Sequence, residues 1–213
     1  MNDFLGILFV LIIILISVIL HELMHGVVAY WLGDKTAKYA GRLTLNPVKH
    51  IDPYMSIIVP VLLYIMGAPV FGGAKPVPVD SRNLKWREWG MALVAIAGPL
   101  TNFLLALMFF VIGHFTGLLY GKGGEIPMFI FSEFVFVNIG FTIFNFIPIP
   151  PLDGSRLLYA IAPDSVRLFL VQMERYGIII VYALILLLGP VFSSIMANGM
   201  NAIINFFYML VGQ

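Results

Sequence analysis

A pair of histidines with a glutamate between them is the feature of this sequence best suited to chemistry. Residues His21-Glu22-Leu23-Met24-His25 follow the pattern H-E-x-x-H. On a helix the two histidines are i, i+4 neighbours on one face, so both imidazoles can reach a single Zn²⁺ ion. Glu22 follows the first ligand, where it can take a proton from water and act as a general base. The motif therefore predicts a hydrolytic site with one zinc ion per chain.

A catalytic zinc ion needs three protein ligands and an open position, so a third ligand must come from elsewhere in the chain. Asp153 is the best candidate, because it follows a proline-rich stretch and precedes Gly154, which lets the backbone turn. Non-helical backbone at membrane depth is tolerated only when it is buried in protein or lines a wet cavity. Asn145 lies eight residues earlier and is a candidate donor to a developing oxyanion.

Each of these polar residues also has a simpler interpretation. The two histidines could be hydrogen-bonded inside a helix bundle, although a glutamate in an apolar span is costly and usually functional. Asp153 could cap the helix that follows it, since Asp is a favoured N-cap. Asn145 could join two helices by hydrogen bonding, as polar side chains in membranes often do, and Asn102 is interpreted in that way.

The composition places the chain in a membrane. Of its 213 residues, 61% are hydrophobic and 11% are charged, and the mean hydropathy is +0.99. A soluble domain carries about 25% charged residues, so we expect an integral membrane protein in contact with the lipid bilayer. The net charge of +1 gives no reason to expect a nucleic-acid partner. The absence of cysteine excludes disulfides and thiolate zinc ligands.

The elements that must position these residues are mainly helices. Three long apolar segments predict transmembrane helices, over residues 4–32, 88–119 and 128–147. The C-terminal block, residues 177–210, predicts one kinked helix or a helix pair, because Gly189 and Pro190 interrupt it. The expected fold class is therefore an all-α polytopic membrane protein, with three transmembrane helices and a C-terminal helix or helix pair.

Two shorter elements and an extended stretch are expected on the side of the membrane nearest the H-E-x-x-H motif. Residues 38–45 have the pattern of a short β-hairpin, with Gly41 near its turn. Residues 55–66 are apolar but short for a span, which predicts a re-entrant segment. Residues 73–79 contain glycines and prolines that exclude a helix, so a strand is expected there.

The charges orient the chain in the membrane. Eleven of the twelve Lys and Arg residues fall in residues 33–87 and 154–176, which three spans place on one side. Only Lys122 falls on the other side, together with the N-terminus. Because cytoplasmic loops carry an excess of Lys and Arg, the side nearest the H-E-x-x-H motif is predicted to be cytoplasmic.

Two motifs of this sequence are shared with a known protein family. The first is H-E-x-x-H at residues 21–25, and the second is N-x-x-P-x-x-P-L-D-G at residues 145–154. Three weaker resemblances lie between them, at residues 41–47, 73–79 and 97–102. In these motifs the chain resembles the site-2 proteases, zinc metalloproteases that cut substrates within or beside their transmembrane segments. The resemblance implies a zinc ion bound by three residues, with a base and an assisting amide: His21, His25 and Asp153, then Glu22 and Asn145.

The resemblance also implies a function, which is endopeptidase activity on transmembrane protein substrates in regulated intramembrane proteolysis. One membrane-embedded domain is expected over residues 1–213, with a catalytic core of about residues 1–160 and C-terminal helices over about residues 165–211. No insertion is long enough for a PDZ domain or a CBS pair, which indicates a small member of the family. The hairpin at Gly41 or the strand at residues 73–79 could hold an unwound substrate by edge pairing.

Two other functions could use the same residues. A metal transporter could pass the ion through the three ligands as a transit site, and a scaffold could keep the metal for stability alone. Transporters usually show internal repeats, and none is visible in this sequence. Neither function needs a glutamate beside the first ligand, so Glu22 favours the protease.

Overall fold

Every regular element in the described part of the chain is helical. The computed structural model describes residues 3–59, 62, 65 and 73–212. The α-helices in these ranges are α1 (Asp3–Trp31), α2 (Thr36–Tyr39), α3 (Arg87–Thr116), α4 (Glu125–Phe146), α5 (Gly154–Ile161), α6 (Asp164–Glu174), α7 (Gly177–Leu187) and α8 (Gly189–Leu210). Turns of 3₁₀-helix cover Pro47–Lys49, Ser81–Asn83 and Leu118–Tyr120, and a π-helical turn covers Pro53–Ile58. The predicted all-α class is confirmed for these residues.

Three of these helices are long and apolar enough to cross a membrane. They are Phe4–Trp31 within α1, and the whole of α3 and α4, with 28, 30 and 22 residues. A spanning helix needs about 20 apolar residues, so each of the three meets the requirement. The three segments predicted as transmembrane helices are therefore confirmed as helices that could span a membrane.

Helix α3 packs against most of the other long helices and carries the contacts on which the site depends. It contacts α1, α4 and α5. At one end of the bundle, Ala29 of α1 packs with Leu84 and with Val94 of α3 in a buried cluster. A second buried cluster joins α3 to α4 and α8, and consists of Ala106, Phe110, Val135, Ile139 and Phe207. Small side chains at such contacts let helix backbones approach closely in lipid.

The predicted β-hairpin at residues 38–45 is wrong, because this part of the chain turns as a helix end. Helix α2 covers its first two residues, and Gly41 follows with a φ of +63°. The Arg42 N–H donates to the Ala37 carbonyl across this turn at 2.9 Å. A left-handed glycine followed by such a bond is the Schellman ending of a helix. A glycine of this kind suits a hairpin turn as well, so the pattern alone was ambiguous.

Asp34 explains why a helix forms here. Its Oδ1 accepts hydrogen bonds from the Thr36 N–H at 3.0 Å and from the Thr36 hydroxyl at 2.5 Å, so the first N–H of α2, which has no partner within the helix, is bonded. Its Oδ2 accepts the Asp80 N–H at 2.7 Å, and the Asn83 amide donates to its Oδ1 at 3.3 Å. Burial alone would raise the pKa of Asp34, but these hydrogen bonds lower it below its ordinary value. The carboxylate therefore joins the end of α1 to α2 and to the turn that precedes α3.

The structure gives no support to the predicted re-entrant segment at residues 55–66. Much of that range lies outside the described residues, and its first residues belong to the π-helical turn. The strand predicted at residues 73–79 is wrong, because these residues have no regular structure and pair with no strand among the described residues. Their prolines and glycines do exclude a helix, as expected.

The C-terminal block consists of a helix pair, which is one of the two arrangements expected for it. Helix α7 ends at Leu187 and α8 begins at Gly189, so a single residue separates them. Phe207 of α8 is 0% exposed and packs against α3 and α4. Helix α8 is thereby attached to the bundle that carries the histidines.

Candidate metal centre

Three side chains from distant parts of the sequence meet at one point. The Nε2 atoms of His21 and His25 lie 3.1 and 3.4 Å from Oδ2 of Asp153. The histidines are 7% and 8% exposed, and the Asp153 side chain is 21% exposed. These three residues are the one group of possible metal ligands found among the described residues. The structure therefore brings together the three residues that were predicted as ligands.

The hydrogen bonds of the two imidazoles leave Nε2 of each ring for the metal. His21 Nδ1 donates to Oδ1 of Asn102 at 2.5 Å, and His25 Nδ1 donates to the Val94 carbonyl at 2.7 Å. Both acceptors lie on α3. A ring that donates from Nδ1 presents its lone pair at Nε2, which is the usual arrangement of a histidine that binds a metal.

The spacing of the three atoms suits zinc. Bonds of about 2.0–2.1 Å in a tetrahedron place neighbouring ligand atoms about 3.3 Å apart. The separations of 3.1 and 3.4 Å agree with that value. Two imidazole nitrogens and one carboxylate oxygen also form a ligand set typical of catalytic zinc, with the fourth position left for water or substrate.

Gly98 keeps the space beside both histidines open. A Cβ atom built on this glycine would lie 2.5 Å from Nε2 of His21 and 2.5 Å from Nε2 of His25. Any side chain at this position would therefore occupy the space in front of the two lone pairs. Gly98 belongs to α3, so the close packing of α3 on α1 forms one wall of the site.

Asp153 is placed by the turn that follows α4. It precedes α5 directly, but its side chain makes no capping hydrogen bond to that helix, so the interpretation of Asp153 as an N-cap is wrong. Its Oδ2 instead lies 3.1 and 3.4 Å from Nε2 of His21 and His25. A carboxylate binds a metal in its ionised form, and this oxygen is placed to share an ion with the two imidazole nitrogens.

Glu22 follows the first histidine in the sequence, and its carboxylate is held by residues 73–79. Its Oε2 accepts a hydrogen bond from the Val77 N–H at 2.8 Å, and the residue is half-buried. Gly26, one turn further along α1, faces the same segment, because a Cβ atom there would lie 3.0 Å from the Val77 side chain. The glutamate thus lies between α1 and residues 73–79.

The fifth predicted residue, Asn145, makes a local hydrogen bond. Its Nδ2 donates to the Phe141 carbonyl of the same helix at 3.0 Å. That bond involves none of the three ligand residues. His50, which was not expected to be a ligand, is 2% exposed and bonds through Nε2 to the Thr44 carbonyl at 2.8 Å.

Asn102 joins helices, as interpreted from the sequence, but its contact with His21 was not predicted. Besides accepting from His21, Asn102 donates through Nδ2 to Oδ1 of Asn138 at 2.8 Å. Asn138 in turn donates to the hydroxyl of Ser17 at 2.9 Å. This buried network connects α1, α3 and α4 behind the first ligand. The available signal was an Asn at the end of a motif, residues 97–102, that also contains Gly98.

Comparison with known proteins also indicates a zinc-dependent peptidase. The family model of peptidase family M50 matches residues 9–129 of the chain. A candidate zinc metalloprotease of Bacillus subtilis is 39% identical over 199 residues, which cover 91% of this chain and 86% of that protein. A candidate zinc metalloprotease of Mycolicibacterium smegmatis is 28% identical over 172 residues, covering 81% of this chain and 64% of that protein. No solved structure shows a significant similarity to the chain.

Proposed function

This chain belongs to peptidase family M50, the site-2 protease family, and is a zinc metalloprotease; on that premise we propose that it cleaves transmembrane segments of membrane-protein substrates. One observation carries the proposal. The three candidate ligand atoms converge at α1, which also carries Glu22 and is long and apolar enough to span a bilayer. A hydrolytic site in that position acts on peptide bonds in or next to the membrane, as in regulated intramembrane proteolysis.

The proposed ligands are His21, His25 and Asp153, with one zinc ion per chain. When bound, zinc supplies a Lewis acid that polarises the scissile carbonyl and lowers the pKa of water towards about 7. Asn102 and the Val94 carbonyl hold the two imidazoles with Nε2 towards the ion. These partners orient the ligands before the ion arrives, which reduces the reorganisation that binding requires.

Glu22 is the proposed general base. It takes a proton from the attacking water and returns it to the nitrogen of the leaving amine, so one carboxylate serves both steps. Asn145 is the proposed donor to the oxyanion that develops on the substrate carbonyl. Its Nδ2 bonds to Phe141 and would have to turn from that carbonyl to reach a substrate.

The substrate must unwind locally, because a transmembrane helix protects its amides by internal hydrogen bonds. Residues 73–79 are the proposed place where the unwound peptide pairs with the enzyme, since they form no helix and lie against Glu22. Proline substitutions along this segment, at positions whose N–H does not bond to Glu22, should therefore weaken cleavage by raising KM.

The proposed orientation places the site towards the cytoplasm and the N-terminus on the opposite side. Eleven of the twelve Lys and Arg residues lie in residues 33–87 and 154–176, which an odd number of spans separates from the N-terminus. We also propose a single catalytic unit over residues 1–213, to which water gains access from the cytoplasmic side past residues 34–52.

The experiment that tests this function compares the wild-type chain with Glu22→Gln and Asp153→Ala in proteoliposomes. The substrate is a single-span reporter protein whose transmembrane segment contains helix-destabilising Asn and Pro residues. Wild type should cut the reporter within or beside its span, as read by mass spectrometry. Glu22→Gln should lower the rate by at least about 100-fold and keep about one zinc per chain, because the base is lost and the ligands are not.

Asp153→Ala provides the complementary result. It should lose zinc and activity together, because it removes one of three ligands. Cleavage by Glu22→Gln at the wild-type rate would contradict the assignment of the base. Zinc retained at full occupancy by Asp153→Ala would contradict the assignment of the third ligand.

A further inference from the structure

The segment that holds Glu22 is itself fixed by two hydrogen bonds at Lys75. The Lys75 carbonyl accepts from Nη2 of Arg42 at 2.5 Å. The Lys75 N–H donates to the His50 carbonyl at 2.8 Å. Both polar groups of this residue's backbone are therefore bonded to the loop that follows α2, two residues before the N–H that contacts Glu22.

Arg42 is an unusual residue to find in that position. It is 5% exposed, its Nε has no hydrogen-bond partner, and it forms no ion pair with an acidic residue in the described part of the chain. A buried guanidinium without a carboxylate is expensive, since its charge is not compensated. Arg42 therefore does not stabilise the fold as a member of a buried ion pair. Its hydrogen bond is to the Lys75 carbonyl.

The backbone between the Lys75 carbonyl, which contacts Arg42, and the Val77 N–H, which contacts Glu22, has little freedom to rotate. The Lys75 carbonyl belongs to the planar peptide that ends in Pro76, and the Val77 N–H belongs to the next peptide plane. The ring of Pro76 locks its φ, so the ψ of Pro76 is the one soft torsion between the planes. The direction of the Lys75 carbonyl therefore restricts the direction of the Val77 N–H, with ψ of Pro76 as the remaining freedom.

We propose that Arg42 is a positioning residue for the general base: it fixes the Lys75 carbonyl, and the Val77 N–H consequently holds the Glu22 carboxylate. The inference rests on the proposed role of Glu22 as the base. The Val77 N–H engages one carboxylate oxygen, Oε2, and so restricts the rotation of the group that must meet the water. A catalytic group displaced by about 1 Å can lose about 100-fold in rate, so loss of this restraint should be visible in kcat.

Arg42→Met and Val77→Pro interrupt the two contacts separately. Methionine has a similar length and no charge, and apolar replacement of buried charged groups is often tolerated. Proline at position 77 removes the N–H, and because residue 77 precedes Pro78 it already favours an extended backbone. With the single-span reporter, each variant should lower kcat by about 10-fold to 100-fold, with KM changed by less than about 3-fold. Both should retain about one zinc per chain, since neither residue is a ligand.

Three further variants separate positioning from a general loss of structure. Arg42→Lys keeps a donor for the Lys75 carbonyl and should recover part of the lost kcat. Val77→Ala keeps the N–H and should lose less than Val77→Pro. Arg82→Ala is the matched control, because Arg82 is an exposed arginine that bonds to Asp80 at 2.7 Å, and kcat should stay at the wild-type value.

The double variant Arg42→Met with Val77→Pro tests whether the two residues act through one path. If they do, the double variant should be no slower than Val77→Pro alone, whereas independent effects would multiply. Hydrogen exchange gives a readout without substrate. Amides in a peptide covering residues 73–80 should exchange at least about 10-fold faster in Arg42→Met and in Glu22→Ala, because each loses a bond to that segment.

The outcomes distinguish this inference from the proposed function. Arg42→Met or Val77→Pro with wild-type kcat, a multiplicative double variant, or unchanged exchange would overturn the positioning role. If Arg42→Met does not fold, Arg42→Lys and Val77→Pro still decide the matter by their kcat and exchange. Full cleavage by Glu22→Gln would instead overturn the proposed base, and would do so whatever the Arg42 variants show.

Discussion

Gly98 is the residue whose smallness matters most to the metal centre. A Cβ atom at this position would lie 2.5 Å from Nε2 of both histidines, well inside van der Waals contact. The atom would project from α3 against the two nitrogen atoms that are proposed to bind the ion. Helix propensity alone would favour alanine over glycine inside a helix. The close approach of Gly98 to both histidines is a reason for glycine at this position.

Gly98→Ala should therefore abolish or strongly weaken zinc binding. Overpacking of this kind costs about 1–3 kcal/mol, which corresponds to a loss of about 10-fold to 100-fold in zinc affinity if it falls on the bound state. The measurement is zinc content after dialysis against a graded zinc buffer. Gly189→Ala is the control, since a Cβ atom there meets nothing within 4 Å. Equal zinc affinity in the two variants would contradict the geometry of the site.

Asn102 holds the first proposed ligand, His21, through its Nδ1 atom. It accepts from His21 Nδ1 at 2.5 Å and is 0% exposed, so no water can replace it without repacking. Asn102→Ala should lower zinc affinity by about 10-fold to 100-fold, the usual effect of removing the partner of a metal-bound histidine. The measurement is a competition titration with a zinc chelator.

An asparagine elsewhere in a helix provides the comparison for that variant. Asn198 lies on α8, is exposed, and bonds to the Ser194 hydroxyl at 3.3 Å. Asn198→Ala should bind zinc as tightly as wild type. If Asn102→Ala also bound zinc at wild-type affinity, its hydrogen bond to His21 would have no role in metal binding.

At the scale of elements, the connection from α1 to α3 depends on one buried carboxylate. Asp34 is 0% exposed and accepts hydrogen bonds from Thr36, Asp80 and Asn83. In Asp34→Asn, an amide group would face one of these donors, and a buried donor would lose its acceptor. Such a loss costs about 1–3 kcal/mol in the free energy of unfolding.

The effect of Asp34→Asn should depend on pH. The hydrogen bonds lower the pKa of Asp34 in the folded protein, so its stabilisation is complete above the unfolded value of 3.8 and is lost as pH falls through the folded value. Thermal unfolding in detergent should show a large difference between wild type and Asp34→Asn at pH 7, and a smaller one below pH 3.8. Asp164→Asn is the control, because its carboxylate is 95% exposed. A difference that did not shrink in acid would contradict the role of the charge.

At the scale of the whole molecule, the distribution of Lys and Arg predicts the orientation, and the chain is well suited to testing it. The sequence contains no cysteine, so a single introduced thiol reports one position without background. Val48 is 72% exposed in the loop on the Lys- and Arg-rich side, and Lys122 lies in the turn between α3 and α4. The two positions should face opposite sides of the membrane.

Val48→Cys should react with a membrane-impermeant maleimide added from the cytoplasmic side, and Lys122→Cys should react from the opposite side. The physical reason is the excess of Lys and Arg that cytoplasmic loops carry. Oriented membrane vesicles of both kinds give the measurement. Labelling of both cysteines from one side would contradict three spans, and reversed labelling would contradict the proposed orientation.

The amino-acid sequence alone determined the local features. Apolar length predicted the three long helices, and the i, i+4 spacing of His21 and His25 placed both imidazoles on one face, because each depends on residues close together in the chain. The ambiguity at Gly41 was also local, whereas the Asp34 carboxylate beside α2 accepts hydrogen bonds from donors as distant in sequence as Asn83. A pattern confined to residues 38–45 could not contain that information.

Only the tertiary structure decided how the site is assembled. Asp153 meets His21 across 132 residues of sequence, and Asn102 meets it across 81. Asp153 was identified by its motif, but the choice between ligand and helix cap depended on where its carboxylate points. The roles of Asn102, Gly98 and Arg42 depend on contacts between α1, α3 and the loops beside them. Such contacts follow from the packing of the whole bundle, which cannot be predicted from any short segment of the sequence.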